Sequence, residues 1–175
     1  GAAFFVLSCS SLSKKPLEKG QLPLEDFFKN PVASNVVISP NGQWLAALKP
    51  YENRMNVFVR SVASPEWTLI TKFTDRDLVS LIWKGNENLL FSKDFGGDEN
   101  FHLFSANLKT KKVSDLTNYK ATRVKLLSSL KGVSKTEILI LMNKRNAKIF
   151  DAYRINVVTG ETKMIFKNPG NFVSF

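Results

Sequence analysis

Cysteine is nearly absent from this 175-residue chain: Cys9 stands alone. An internal disulfide is therefore excluded, and so is any metal site built on cysteine. Histidine is equally scarce, with His102 the one example. From Val36 onward no apolar pattern repeats every 3.6 residues, which removes amphipathic helices from the reading. The apolar opening Gly1-Ala2-Ala3-Phe4-Phe5-Val6-Leu7-Ser8 is too short to span a bilayer. An arginine-rich arm and a base-stacking aromatic motif are both missing, although 25 Lys and Arg against 15 Asp and Glu give a net charge of +10. The basic residues are scattered; Lys109, Lys111 and Lys112 form the densest group, followed by Lys144, Arg145 and Lys148. A nucleic-acid footprint needs a contiguous stripe, so the charge reads as solvated surface and no nucleic-acid partner is expected.

What the chain does have is apolar residues. A hydrophobic content of 43% with 14 Phe argues against disorder, and the length allows a sizeable core. These residues fall in short runs separated by turn chemistry. Leu89-Leu90-Phe91 and Leu103-Phe104 flank Asp94-Phe95-Gly96-Gly97-Asp98-Glu99-Asn100, in which glycine takes positive φ and Asp and Asn bond nearby backbone. The same construction recurs on both sides. A first set of four strands is predicted at 36–38, 44–48, 57–59 and 67–70, the first pair joined by Ser39-Pro40-Asn41-Gly42. A second is predicted at 79–83, 88–91, 102–106 and 112–116, and a third at 124–127, 137–142, 152–156 and 162–166.

The spacing from Ile38 to Ile82 is 44 residues and from Asn107 to Asn156 it is 49. A period of roughly 40–50 residues with four strands each is the signature of β-propeller blades, which must stack radially to bury both sheet faces. The expected fold is all-β: a partial propeller of three antiparallel blades at 36–73, 79–117 and 124–166, with 172–175 the first strand of a fourth. Residues 22–175 then form an incomplete N-terminal propeller domain of a longer protein.

Residues 1–21 read differently. Val6-Leu7-Ser8-Cys9 resembles the lipobox of bacterial lipoproteins, making Cys9 the candidate lipidation site and 1–8 a truncated export signal. A polar tether follows to Gln21, and then a short amphipathic turn that Pro31 stops. The expected location is exported, either periplasmic or lipid-anchored, with membrane contact only through that anchor.

Several strings, in order, resemble one family. Pro23-Leu24-Glu25-Asp26-Phe27-Phe28-Lys29-Asn30-Pro31, Ile38-Ser39-Pro40-Asn41-Gly42, Gly96-Gly97-Asp98-Glu99-Asn100-Phe101-His102-Leu103, Asn143-Lys144-Arg145-Asn146, Phe150-Asp151-Ala152-Tyr153-Arg154 and Asn168-Pro169-Gly170-Asn171 are similar to segments of bacterial peptidases of the prolyl oligopeptidase family. The resemblance covers about 22–175. It implies a propeller followed by an α/β-hydrolase domain that cleaves short peptides with a Ser-Asp-His triad; separately, no cofactor or metal is expected. The Gly-x-Ser-x-Gly elbow of such a domain does not occur here, and His102 sits in a blade strand, so this chain carries no catalytic residue. Its own hydrolase domain and a peptide substrate are the expected partners. A non-enzymatic TolB-like scaffold is the alternative.

The individual residues have modest expected roles. His102 alternates with Phe101 and Leu103 and reads as structural or solvent-facing. Asp94, Asp98 and Glu99 lack the spacing of a calcium loop and read as turn-stabilising carboxylates. Trp44, Trp67 and Trp83 read as core between blades. Links between second and third strands, at 49–54, 94–100 and 143–150, are equivalent and share one rim. Glu52, Arg54, Asp98, Glu99, Lys144 and Arg145 there are the candidate contacts to substrate or hydrolase domain.

Overall fold

A computed structural model describes residues 32–170, in which twelve strands and no helix are formed. Cys9, the tether, the 22–31 lead-in and the 172–175 strand lie outside the described residues. The first sheet is β1 (Ser34–Ile38), β2 (Trp44–Tyr51), β3 (Arg54–Ser61) and β4 (Thr68–Leu69). The second is β5 (Val79–Lys84), β6 (Asn88–Lys93), β7 (His102–Asn107) and β8 (Val113–Asp115). The third is β9 (Val124–Ser128), β10 (Glu137–Asn146), β11 (Ile149–Asn156) and β12 (Thr162–Phe166). Each is an antiparallel meander in chain order, and no strand is shared between sheets.

Side-chain alternation along the middle sheet decides how the sheets are arranged. Leu89 and Phe91 on β6, with Phe104 and Ala106 on β7, join Ala46, Leu48, Val57 and Val59 of the first sheet in one core. Their neighbours Leu90 and Leu103 point the other way, into a second core with Ile138, Ile140, Met142, Tyr153 and Ile155 of the third sheet. A strand sends successive residues to opposite faces, so the middle sheet is covered on both sides by different blades. A two-layer sandwich has a single core between two sheets; three sheets with two separate cores are propeller blades.

Polar ties reinforce the stacking. Trp83 Nε1 donates to the Val37 carbonyl at 3.2 Å, and the Asn41 amide donates to Asn86 Oδ1 at 3.1 Å, both between the first and second blades. Lys84, only 3% exposed, donates to the carbonyls of Ser129 and Ser134 at 2.5 and 2.7 Å in the third blade. Burial pushes its ammonium below the usual lysine value, while nearby Glu137 opposes that shift.

Within each blade, one buried polar residue on the third strand meets the fourth strand or the segment that follows it. Asn56 Oδ1 accepts from Thr71 Oγ1 and the Phe73 amide, His102 Nδ1 lies 2.8 Å from Asp115 Oδ2, and Asp151 Oδ1 accepts the Asn168 amide at 2.8 Å. These three positions recur at intervals of 46 and 49 residues. His102 is thus a structural member of a repeated latch, and buried rather than facing solvent.

The links β7–β8 and β11–β12 repeat as well. Asn107 Oδ1 accepts the amides of Lys109 and Thr110, and Asn156 Oδ1 those of Val158 and Thr159. Both turns close with a left-handed residue, Lys111 at φ 58° and Gly160 at φ 79°. The glycine adopts that backbone freely; the lysine does so under strain.

Three expectations need correction. Trp44 is 37% exposed at the start of β2 and Trp67 is half-buried, its ring serving as a platform for Lys49 and Arg60. Trp83 alone of the three packs against a core cluster. The 49–54 link is tighter than expected, because Pro50 pairs with Met55 and Tyr51 with Arg54, leaving a two-residue turn at Glu52 and Asn53. Likewise Asn146 pairs with Ile149, so Asn143, Lys144 and Arg145 belong to the end of β10 rather than to a turn.

Candidate functional site: the upper rim

Strand parity sorts the links onto two rims. Antiparallel neighbours reverse direction, so a four-stranded meander begins and ends on the same side. The upper rim holds the start of β1, the end of β12, the links between second and third strands, and the segments joining one blade to the next. The lower rim holds every link between first and second or third and fourth strands. All six candidate residues fall on the upper rim.

The 94–101 link is its most elaborate part. Asp94 is buried and receives a bidentate pair from Arg76 of the preceding inter-blade segment, Nε to Oδ1 at 2.9 Å and NH2 to Oδ2 at 3.0 Å. That guanidinium holds the Asp94 carboxyl below the usual carboxylate range, against the opposing effect of burial. It also lies beneath Gly97, whose missing Cβ would sit 3.6 Å from NH2. Gly96 and Gly97 both have positive φ, 62° and 80°. Asp98 closes the tip by accepting the Asn100 amide and side-chain NH2, both at 3.0 Å, and these bonds hold its carboxyl low. Glu99, with φ 57°, is held from the other side: Arg123 Nε donates to its carbonyl at 2.9 Å, and Arg123 NH2 lies 3.5 Å from its carboxylate.

Phe95 projects from this link, 43% exposed. Beneath it Lys93 Nζ lies 4.1 Å from the ring centroid and pairs with Asp75, and the His102 ring meets it edge-on at 4.9 Å. The link is therefore clamped by arginines from both inter-blade segments and floored by a buried cation.

The other candidates are held separately. Glu52 occupies the β2–β3 turn at φ 47°, where its bond to Tyr51 raises that phenol's pKa. Arg54 makes no ion pair with a carboxylate among the described residues. Lys144 Nζ stands 3.6 Å from the Tyr119 ring centroid. Arg145 clasps the fully buried Asp151 through two bonds of 2.9 and 2.8 Å and donates to the Asn168 carbonyl at 2.8 Å. No hydrogen bond or ion pair joins two of the six among the described residues. The structure places them on one rim without assembling them into one cluster, and no acid–base or nucleophile pairing is formed. Sequence reasoning missed Arg76, Arg123 and Lys93, which reach partners 18 to 24 residues away.

With this geometry in view, the relatives carry the identification. Over 153 residues the chain is 32% identical to dipeptidyl aminopeptidase BIII of Pseudoxanthomonas mexicana, covering 85% of this chain and 22% of that protein. The chain belongs to the prolyl oligopeptidase family, as part of its N-terminal propeller. It spans about a fifth of that relative's length. Among solved structures, the β-propeller domain of the Trilobed protease from Pyrococcus furiosus is similar with a TM-score of 0.58 at 15% identity, covering 78% of this chain and 44% of that one. TolB from Acinetobacter baumannii is similar with a TM-score of 0.52 at 15% identity, covering 75% and 31%. No family model matches the chain. At such low identity these two likenesses speak for the blade fold alone.

Proposed function

We propose that this propeller serves a serine peptidase of short peptides, restricting access to the active site and contributing substrate contacts for an α/β-hydrolase domain. The observation that carries this reading is the upper rim. Segments on both sides of the blades leave from it, and it presents a stiffly held link bearing Phe95, Asp98 and Glu99. Charges fixed in this way can steer a peptide or meet a neighbouring domain without first being ordered. Export to the periplasm, with or without a lipid on Cys9, fits the lipobox-like Val6-Leu7-Ser8-Cys9.

Charge reversal tests the rim. Glu99→Lys and Asp98→Lys in the full-length enzyme are expected to lower kcat/KM for short peptides about three- to tenfold while the melting temperature stays within a few degrees. Unchanged kcat/KM in both variants would reduce the rim to solvated surface. Arg145→Glu is a poorer probe, because it sets a second carboxylate against buried Asp151 and destabilises the third blade. A TolB-like scaffold, suggested by fold likeness alone, predicts no peptide hydrolysis by the full-length protein.

A further inference from the structure

The lower rim differs from the upper one in what stands among its charges. On the upper rim Arg76, Arg123 and Arg145 are each engaged by a carboxylate, while Arg54, Lys72, Lys120, Lys144 and Lys148 pair with none among the described residues. On the lower rim Lys111 and Lys112 (β7–β8 link) and Lys131 and Lys135 (β9–β10 link) are exposed and pair with no carboxylate among the described residues. Lys109 of the same rim is matched by Glu87 at 2.5 Å. Two other acidic residues, Glu66 and Glu161, stand in these links.

Between the lysines stand apolar side chains that the fold leaves in water. Val133, at the tip of the β9–β10 link, is 80% exposed, and Val158 of the β11–β12 link is 58% exposed. A cavity of about 870 Å³ opens here with Lys131, Lys135, Val158 and Ile38 in its wall, and the Asn41–Asn86 and Lys84–Ser129 bonds tie the three blades' links together.

We infer that the lower rim docks on an anionic lipid surface, its free lysines against the headgroups and Val133 and Val158 in the interfacial layer. Charge complementarity selects an anionic partner, and the valines choose among such partners. A nucleic acid or other soluble polyanion would satisfy the lysines and leave the valines in water, whereas a bilayer interface accepts both. This contact is separate from any lipid on Cys9.

Co-sedimentation of the full-length protein with phosphatidylcholine vesicles, with and without phosphatidylglycerol, tests it. Binding is expected to require phosphatidylglycerol and to weaken as salt rises. Lys131→Glu with Lys135→Glu, and independently Lys111→Glu with Lys112→Glu, should lower vesicle affinity by about fivefold or more per lysine. Val133→Ser should lower it further, while Lys148→Glu on the upper rim leaves it unchanged. All these positions are exposed, so unaltered thermal melts are expected and verify folding. Equal binding to both vesicle types, or no binding at low salt, would overturn the inference. So would a short DNA duplex bound as tightly as the vesicles with Val133→Ser without effect on either.

Discussion

Replacing Phe91 with alanine is expected to lower the unfolding free energy by about 3–5 kcal/mol. Phe91 is 1% exposed and stacks on Phe104, centroids 5.7 Å apart with planes 9° from parallel, while Phe73 meets both rings edge-on. Truncation removes the ring and leaves a void that three strands and an inter-blade segment cannot fill without breaking their ladders. The loss falls on the interface between the first and second blades. Denaturant unfolding should show a lower midpoint, and hydrogen exchange should rise in β2, β3, β6 and β7 before the third blade. Phe91→Leu should cost less than half as much, because most of the apolar volume stays. A Phe91→Ala loss under about 1 kcal/mol would mean that this core is not packed as described.

Asp151→Ala is expected to cost about 3 kcal/mol, nearly all of it in the third blade. The carboxylate is fully buried and accepts two bonds from Arg145 as well as the Asn168 amide, so its removal undoes three charge-assisted contacts. Its behaviour in acid has a definite sign. Arg145 foremost, then the Asn168 amide, hold the folded-state pKa below the unfolded value, against the opposing effect of burial. Such a group stabilises the fold at pH values above its unfolded pKa, and the contribution disappears as pH falls through the folded pKa. Asp94, held low by Arg76, acts in the same direction. Stability should therefore be level near neutrality and decline below about pH 4. The decline should be shallower in Asp151→Asn, which carries no titrating group there. Melting temperature against pH for the two proteins measures this, and parallel curves through the acid range would contradict it.

Blade number and strand order were legible in the sequence because turn chemistry and alternation are local signals. Pro40-Asn41-Gly42 and Gly96-Gly97 mark turns by backbone demand, and β12 is found at the expected 162–166. Strand ends were less legible. β3 begins at Arg54 rather than Val57 because cross-strand pairing carries polar residues such as Asn56 into the ladder, and composition does not report that. Lys84 and Lys93 look like surface lysines, yet both are buried by partners that other blades and links supply. Trp44 failed the opposite way: a large apolar residue at a strand start reaches the lower rim rather than a core. The repeated latch of Asn56, His102 and Asp151 was within reach. Superposing the three blades by their turns aligns those positions, and three different polar residues at one buried site signal a shared contact.

The central claim is that alternate residues of one sheet enter two separate cores. Methyl and aromatic NOE measurements test it most directly. The radial arrangement predicts NOEs from the Phe91 ring to the methyls of Leu48 and Val57, and from the Leu90 methyls to those of Ile138 and Ile140. It predicts none from Leu90 to the first blade. NOEs joining Phe91 and Leu90 to the same opposing sheet would contradict the stacking, and with it the propeller and the peptidase role built on it.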